Sequence, residues 1–455
     1  MSNYELDPTN AILMAFVNFM PYFAGAFLFV CCLYISQRFL LQRNNKPFSK
    51  HYVYLLIALG FAIKVFLAYF SYDYVDVQHF ERFAELVYSG ENVYRQSGSL
   101  LSLSGHMISL NMPYPPFWIL LLLFWKSIST VTGISFAFLF KFSAIIADTL
   151  FIFFLLFFPL KEIKERQNMV LILVFSPVVI SVSAVFGQLD TIPTYLSFFA
   201  FLLLVNDNKN WKWAALCLGF GIFAKTFPLI LLPAFLTQFP SIKKRISFSC
   251  IAITPITLSL LVAPAINSTP QDIVNSIISY QGVVGGAHGI SGLLWVLKQV
   301  FIFFSNNSNG YKILETFWIL YNNHGTIMVI IFLGIGYFYL FKKVSLLERI
   351  IYTYLVFYVF SNAVACQYLV WIIPFMLYGN YTFASGFLFW SNLAILVFIP
   401  FTVGGIFHLE IVDKFFPLMM GFLWIFSLYC FVQIIRNFWE KRNDTQELAI
   451  HSIRR

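Results

Sequence analysis

The sequence predicts an all-α polytopic membrane protein, a bundle of about 13 transmembrane helices with a large first outer loop. Sixty per cent of its 455 residues are apolar and 11% are charged, against about 25% charged in an average soluble domain. Several apolar segments approach the roughly 20 residues that a helix needs to cross about 30 Å of hydrocarbon. The net charge of +9 arises from Lys and Arg residues in short loops. Because such residues orient membrane helices, the charge does not indicate nucleic-acid binding.

Clusters of Lys and Arg residues in the loops predict the topology. Short cytoplasmic loops carry an excess of these residues, and six such clusters divide the chain. Placing all six in the cytoplasm requires an odd number of crossings before the first cluster and an even number between successive clusters. The N-terminus is then outside and the C-terminus inside. The predicted spans are 12–37, 52–71, 134–160, 169–187, 190–207, 212–225, 226–241, 247–266, 320–341, 347–363, 366–380, 383–406 and 415–436.

Two apolar stretches fit this topology only if they do not cross the bilayer. Residues 115–125 and 291–304 are short for a full crossing, and an extra crossing would move a basic cluster to the outer side. We therefore expect interfacial or re-entrant helices, which are tolerated where protein covers the backbone. The chain then forms one membrane domain over 1–438, with outer loops at about 72–114 and 267–319, followed by a polar cytoplasmic tail at 439–455.

The cysteines and the N-terminus add two expectations. All six cysteines lie inside apolar runs, so we expect buried hydrophobic side chains and neither a zinc site nor disulfides. The N-terminus lacks the basic region and the small-residue cleavage site of a signal peptide. The first membrane helix should therefore direct insertion.

The predicted topology gathers polar residues from five separate segments on the outer face. Charged side chains next to the bilayer are costly, so a one-sided group of them is a candidate functional site. The group contains Asp73 and Asp76 of the first outer loop, Asp190, Lys225, His288, and Gln367 with Tyr368.

The residue types in this group indicate acid–base and anion-binding chemistry. Asp73 and Asp76 would share one helix face, where a carboxylate can act as a general base, although a solvated helix start looks the same. Lys225, in the outer turn of a hairpin, could bind a phosphate or snorkel to the interface. It could also pair with Asp190, since intramembrane charges usually come in pairs. His288 lies in a glycine-rich segment that could approach a phosphate or form a flexible loop.

The order of the motifs resembles the GT-C superfamily of polyprenyl-phosphate-sugar-dependent glycosyltransferases. Within it, the chain resembles bacterial polyprenol-phosphate-mannose transferases and the catalytic subunit of GPI mannosyltransferase I. The motifs are Asp73-Tyr74-Val75-Asp76, Tyr114-Pro115-Pro116, Lys141 to Asp148, Gly187-Gln188-Leu189-Asp190, Ala224-Lys225-Thr226-Phe227-Pro228 and Gln367-Tyr368-Leu369-Val370-Trp371.

This resemblance implies an inverting glycosyltransferase with Asp76 as its catalytic base. It would move a hexose, with mannose as the expected sugar, from a polyprenyl- or dolichyl-phosphate donor to a hydroxyl of a glycolipid or lipid-linked glycan. The role of Asp73 stays open, because this chain has DxxD where the GPI enzyme has DxD. We expect Lys225 and His288 to bind the donor phosphate. The expected substrate contacts are Tyr114, Gln188, Asp190, Gln367 and Tyr368.

Other aspects of the function have alternatives. We expect no cofactor and a metal-free mechanism, the alternative being a divalent cation between Asp73 and Asp76. The expected location is the non-cytoplasmic face of a bacterial inner membrane, or of the endoplasmic reticulum membrane if the protein is eukaryotic. The alternative function is a transporter or flippase of lipid-linked sugars. Transporters typically contain inverted repeats, and no such symmetry is visible in the sequence.

Overall fold

The computed structural model describes residues 27–39, 47–71, 76–95, 100–103, 106–109, 112–158, 162–280, 290, 293–294, 296–298, 308–340, 344–361, 364–403 and 410–453. Over these ranges the chain is almost entirely helical. The sheet described there is a two-stranded antiparallel hairpin of β1 (Leu100–Leu103) and β2 (His106–Ser109), within the segment predicted as the first outer loop. The predicted all-α polytopic membrane fold is confirmed.

The described part of the chain contains the following helices in chain order. The first half of the chain forms α1 (Phe27–Phe39), α2 (Lys50–Phe70), α3 (Asp76–Tyr88), α4 (Pro116–Thr132), α5 (Phe136–Leu155), α6 (Ile163–Phe175), α7 (Pro177–Ile180) with a π-helix (Ser181–Val185), α8 (Thr191–Asn206), a 3-10 turn (Asn208–Asn210) and α9 (Trp211–Ala224). The second half forms a 3-10 helix (Phe227–Leu231), α10 (Leu232–Leu236), α11 (Ile242–Ser259) with a 3-10 extension (Leu260–Ile266), α12 (Pro270–Ser279), α13 (Ser308–Ile335) with a π-helix (Gly336–Leu340), α14 (Leu346–Phe360), a 3-10 helix (Cys366–Val370), α15 (Ile373–Gly379), α16 (Ala384–Val403) and α17 (Glu410–Ile453).

Several of these helices can cross a membrane. Among the described residues, four are long and apolar enough, namely Lys50–Phe70, Phe136–Leu155, Ile242–Ile266 and Leu418–Glu440. Two bent helix pairs raise the number to six if each pair is one span, and further apolar helices have 10–17 residues. A membrane protein is therefore confirmed, whereas the count of about 13 crossings stays a prediction.

The observed helix ends agree with some predicted spans and correct others. The spans predicted at 190–207 and 212–225 coincide with α8 and α9. Those predicted at 226–241 and 366–380 are broken into a 3-10 helix and a short α-helix. The new segments carry Pro228, Pro233 and Pro374 in their first turns, because proline is tolerated there and not in a helix interior. The stretch predicted at 115–125 is longer than expected, since α4 has 17 residues.

The span predicted at 169–187 is not a straight helix. It breaks at Pro177, and the two parts are bent by 52°. Proline cannot donate a backbone hydrogen bond and clashes with the preceding turn. The break is stabilised by Asn392 of α16, whose Oδ1 accepts hydrogen bonds from Ser176 Oγ (3.1 Å) and from the backbone N–H of Val178 (3.0 Å). The chain beyond the break is thereby directed towards α3.

A second hydrophobic core contains the buried faces of α3 and α4. The helix α3 is amphipathic, and its buried face packs against α4. Burial of such a face against a partner is the main source of stability for a helix this short. The buried residues of this contact include Phe80, Ala84 and Val87 of α3 and Trp118, Ile119 and Leu122 of α4.

An ion pair that the sequence did not reveal lies inside the main helical core. Lys64 of α2 donates to Oδ2 of Asp148 of α5, and the two side chains are 2% and 0% exposed. Each charge would be costly alone in this environment. The pair therefore gives Asp148, the last residue of the Lys141 to Asp148 motif, a structural role.

Candidate active site

The predicted catalytic base is the first residue of α3. The Asp76 carboxylate accepts a hydrogen bond from Gln188, with Oδ2 2.7 Å from Nε2. Burial raises the pKa of the Asp76 carboxyl above its ordinary value. The Gln188 hydrogen bond and the positive charge of Lys225 both oppose this rise. Asp76 is therefore a carboxylate held in place by a neighbour and sensitive to the charges around it.

A glycine brings Gln188 to this position. After the π-helix, Gly187 adopts a φ of +62°, a left-handed conformation that L side chains rarely take. A Cβ at this position would lie 3.0 Å from Cγ of Lys141 and 3.2 Å from Cγ2 of Val77. The backbone N–H of Gln188 then bonds to the carbonyl of Val182 at 2.9 Å. This turn directs Gln188 towards α3 and Asp190 towards α9.

Asp190 and Lys225 form a buried ion pair. Lys225 Nζ lies 2.6 Å from Oδ2 of Asp190, and the side chains are 9% and 0% exposed. The indole N–H of Trp371 donates to the other oxygen, Oδ1, at 2.8 Å. Both carboxylate oxygens are thus engaged. The sequence allowed Lys225 to bind a phosphate, to snorkel to the interface or to pair with Asp190, and the structure shows the pair with Asp190.

Two tyrosine rings cover the lysine. The ammonium group of Lys225 lies 5.2 Å from the ring centroid of Tyr114 and 5.5 Å from that of Tyr368. Both distances are within the range of cation–π attraction. Two predicted substrate residues therefore lie beside the cation, as expected for one site.

Stacked aromatic rings hold these tyrosines. Tyr114 stacks on Trp118 with centroids 4.3 Å apart, and the Trp118 indole donates to the carbonyl of Ala224 at 2.6 Å. Tyr368 stacks on Trp371 at 4.2 Å. Because Ala224 directly precedes Lys225, these contacts fix the lysine backbone as well as the rings around its side chain.

Sequence reasoning missed one residue of the site. Tyr280 is the C-cap residue of α12. Burial raises the pKa of Tyr280 to about 12, and the nearby charges of Asp76 and Asp190 raise it as well. No motif marks Tyr280 in the sequence. We call these seven residues the polar cluster: Asp76, Tyr114, Gln188, Asp190, Lys225, Tyr280 and Tyr368.

Three predicted site residues are not assigned to the polar cluster. Asp73 and His288 lie outside the described residues. Gln367 is partly buried, and its Oε1 accepts from the thiol of Cys366 at 3.6 Å. None of the hydrogen bonds found among the described residues joins Gln367 to the polar cluster. The interpretation of Gln367 as a substrate residue stays a prediction.

Lys141 is a buried cation close to the first outer loop. Its Nζ donates to the carbonyl of Ser71 at 2.7 Å and to the hydroxyl at 3.1 Å. Ser71 is the C-cap of α2, directly before the segment that leads to Asp76. Lys141 therefore fixes the point from which the acidic loop departs.

The described side chains offer no cluster of metal ligands. Across the ranges given above, no group of three or more His, Cys, Asp and Glu residues is placed to hold a metal ion. Asp76 has Gln188 as a hydrogen-bond partner, and Asp190 has Lys225 and Trp371. Gln188, Lys225 and Trp371 all donate hydrogen bonds to these two carboxylates.

Comparison with known proteins gives a family match over part of the chain. Residues 113–292 match Glycosyltransferase family 87, and no curated protein matches the chain. The match indicates a glycosyltransferase and is consistent with the resemblance to the GT-C superfamily. The matched segment contains five residues of the polar cluster, whereas Asp76 and Tyr368 lie outside it.

Proposed function

Taking the chain as a glycosyltransferase, we propose that it is an inverting enzyme that uses a polyprenyl- or dolichyl-phosphate-hexose donor. The acceptor is a hydroxyl of a glycolipid or lipid-linked glycan, and mannose is the expected sugar. The reaction takes place on the non-cytoplasmic face of a bacterial inner membrane, or of the endoplasmic reticulum if the protein is eukaryotic. The observation that carries the proposal is one buried cluster with a carboxylate at Asp76 and a cation at Lys225.

The Asp76 end of the polar cluster can activate the acceptor hydroxyl. Asp76 takes the proton of the acceptor hydroxyl as its oxygen attacks the anomeric carbon. Gln188 holds the carboxylate through a hydrogen bond of 2.7 Å. Because attack comes from the side opposite the leaving group, the configuration at the anomeric carbon inverts.

The Lys225 end of the polar cluster can stabilise the phosphate leaving group. The bond between the anomeric carbon and the phosphate oxygen breaks, and its electron pair remains on the phosphate. A preorganised cation stabilises charge that develops in the transition state. Lys225 has three N–H donors, and Asp190 holds the ammonium group at 2.6 Å. The paired lysine can therefore be fixed in position and still donate to a phosphate.

The proposed mechanism is metal-free, because one base and one cation perform both tasks. The rival function, a transporter of lipid-linked sugars, has no requirement for a carboxylate at Asp76 held by a hydrogen bond. The match to a glycosyltransferase family also favours the enzyme.

A transfer assay tests the proposal. The purified protein is given radiolabelled polyprenyl-phosphate-mannose, -glucose or -arabinose with an acceptor lipid extract, with and without EDTA. We expect transfer by the wild type, little or none by Asp76→Asn, and no effect of EDTA. The matched control is Glu81→Gln, which removes another carboxylate of α3 that pairs instead with Lys126 at 2.8 Å. Equal transfer by Asp76→Asn and wild type would exclude the base, and transfer of no sugar would favour the transporter.

A further inference from the structure

Gln188 uses only one end of its side-chain amide within the polar cluster. Its Nε2 donates to Oδ2 of Asp76 at 2.7 Å, and the residue is 0% exposed. The carbonyl oxygen at the other end, Oε1, is also buried, and no hydrogen-bond donor among the described residues reaches it. Nearly all buried polar atoms in proteins have a hydrogen-bond partner. A buried acceptor without a donor, next to the proposed catalytic base, therefore indicates a substrate contact.

The orientation of this amide is fixed by its neighbours. An ionised carboxylate only accepts hydrogen bonds, so the atom of Gln188 that contacts Asp76 must be the nitrogen. The backbone N–H of Gln188 donates to the carbonyl of Val182 at 2.9 Å, after the left-handed turn at Gly187. If the amide turned over, its oxygen would face the carboxylate. Oε1 is therefore held in place as an acceptor.

Oε1 lies close to the carboxylate of Asp76. The bond lengths of an amide place its oxygen and nitrogen about 2.3 Å apart. Since Nε2 is 2.7 Å from Oδ2 of Asp76, Oε1 is at most about 5 Å from that oxygen. A hydroxyl that gives its proton to Asp76 must come within hydrogen-bond distance of the carboxylate. The molecule that brings this hydroxyl can therefore bring a second donor to Oε1.

The acceptor sugar is the substrate that can supply this donor. Neighbouring hydroxyls of a sugar ring, unless both are axial, are about one hydrogen-bond length apart. Resting on the proposed function, we propose that Oε1 of Gln188 accepts a hydrogen bond from the hydroxyl next to the one that attacks. The acceptor is then a vicinal diol: one hydroxyl gives its proton to Asp76, and its neighbour donates to Gln188.

This assignment limits the linkage that the enzyme makes. The new glycosidic bond forms at a secondary hydroxyl that has a free hydroxyl on an adjacent ring carbon. The primary hydroxyl of a pyranose is excluded, because the carbon next to it bears the ring oxygen. Gln188 thereby selects the position of attack on the acceptor, whereas Asp76 performs the proton transfer.

The linkage in the product tests the assignment without any variant. The wild type transfers radiolabelled hexose to the lipid extract of the transfer assay, and the labelled glycolipid is purified. Methylation analysis shows which acceptor hydroxyl carries the new sugar and which of its neighbours are free. We expect a secondary hydroxyl with a free neighbour. A bond at the primary hydroxyl of a pyranose, or at a hydroxyl without a free neighbour, would overturn the assignment and leave the proposed function intact.

Acceptors that lack the neighbouring hydroxyl measure the bond itself. The acceptor glycolipid found in this way is prepared whole and without each hydroxyl adjacent to the attacking one. The value of kcat/KM for the whole acceptor is divided by that for each deoxy acceptor. For one of them the wild-type ratio should be about 10, because Oε1 would stay buried without a donor. In Gln188→Leu this ratio should fall towards 1.

Gln188→Glu is the matched variant. Two carboxyl groups at this distance share one proton, so the protonated Glu donates to Asp76 as the amide does and keeps a second oxygen. Its ratio should stay near the wild-type value. Gln271→Leu, at an exposed residue of α12, should also keep it. Each ratio compares two acceptors on one preparation, so looser positioning of Asp76 or an unfolded fraction cancels. If Gln188→Leu is not recovered, Gln188→Met carries the same expectation.

The outcomes separate this inference from the proposed function. Wild-type ratios near 1 for every deoxy acceptor, or an unchanged ratio in Gln188→Leu, would overturn the assignment of Oε1 while transfer itself stands. An equal fall of the ratio in Gln188→Glu or in Gln271→Leu would do the same, since the effect would not depend on this oxygen. Failure of the wild type to transfer from any donor would overturn the proposed function and this inference together.

Discussion

Lys225 Nζ lies 2.6 Å from Oδ2 of Asp190, in an ion pair whose side chains are 9% and 0% exposed. A charge at this depth is tolerated because its partner neutralises it and because Trp371 binds the remaining carboxylate oxygen. The pair thus provides a cation near the site without a large net charge.

The first prediction distinguishes the contribution of this ion pair to protein stability from its contribution to transfer activity. Lys225→Met alone should lower the free energy of unfolding by about 3–5 kcal/mol, because Asp190 would stay buried without its countercharge. The double variant Lys225→Met/Asp190→Leu should recover most of this loss, since apolar residues replace a buried ion pair at little cost. It should remain inactive, because the phosphate loses its cation. Unfolding in detergent and the transfer assay measure both effects.

The second buried pair is the matched control. Lys64→Met/Asp148→Leu removes the ion pair between α2 and α5 and should also retain most of the stability. This double variant should keep its transfer activity, since neither residue belongs to the polar cluster. Wild-type activity in the Lys225 double variant would contradict the role assigned to the lysine.

The second prediction concerns pH. Asp76 must be ionised to accept a proton, so kcat/KM should fall as the pH decreases through its pKa. Burial raises this pKa above the ordinary value of about 3.9, and the acid limb should lie at correspondingly higher pH. Gln188→Leu removes a hydrogen bond that lowers the pKa, so the limb should move further up. Gln271→Leu, a change at an exposed glutamine of α12, should leave the acid limb in place. If Gln188→Leu does not move the acid limb, the hydrogen bond from Gln188 does not control the pKa of Asp76.

The third prediction compares two glycines with positive φ. Gly187→Ala and Gly133→Ala both place a side chain at a left-handed position, with φ of +62° and +72°, which costs about 1–2 kcal/mol each. At Gly187 the new Cβ would also press on Lys141 and Val77, whereas at Gly133 no atom lies within 4 Å. We expect the larger loss of stability, and a strong loss of transfer, only for Gly187→Ala. Equal activity of the two variants would show that this turn does not position the site.

The fourth prediction tests the attachment of α12. Asp272→Asn weakens the acceptor for Thr269, Arg95 and Asn92, and should raise KM by about threefold through a looser Tyr280. The hydrogen bond from Thr269 is the main reason that the pKa of Asp272 is lowered. A lowered pKa means that the attachment is complete above about pH 4 and is lost only at more acidic pH. The KM effect should therefore be the same between pH 6 and 8, and Asp207→Asn, at an exposed loop, should show none.

The sequence predicts the elements better than the breaks between them. Spans such as 190–207 and 212–225 follow from apolar length and the basic loops, and the structure has α8 at Thr191–Asn206 and α9 at Trp211–Ala224. The bend at Pro177 could not be predicted from apolar length and basic loops. What stabilises it is Asn392, more than 200 residues further along the chain, and no local pattern connects the two.

The same limit applies to the site. Asp76, Asp190 and Lys225 are visible in the sequence because a charge beside the bilayer is conspicuous. Tyr280 is one of 24 tyrosines in an aromatic-rich chain, and only the folded chain brings it near the charges of Asp76 and Asp190. Lys64 likewise lies inside a predicted span, and its partner Asp148 is 84 residues away. Pairings of this kind depend on how the helices pack.

The pairing of Asp190 with Lys225 also bears on how the protein is made. The two residues are 35 positions apart, at facing ends of the consecutive helices α8 and α9, whereas Trp371 is 181 positions beyond Asp190. During synthesis, the aspartate and the lysine can enter the lipid together as a neutral hairpin, long before the tryptophan leaves the ribosome. Pairing within this hairpin would spare the nascent chain an isolated charge in the lipid. The indole N–H of Trp371 then donates to the Asp190 carboxylate, which is already paired with Lys225.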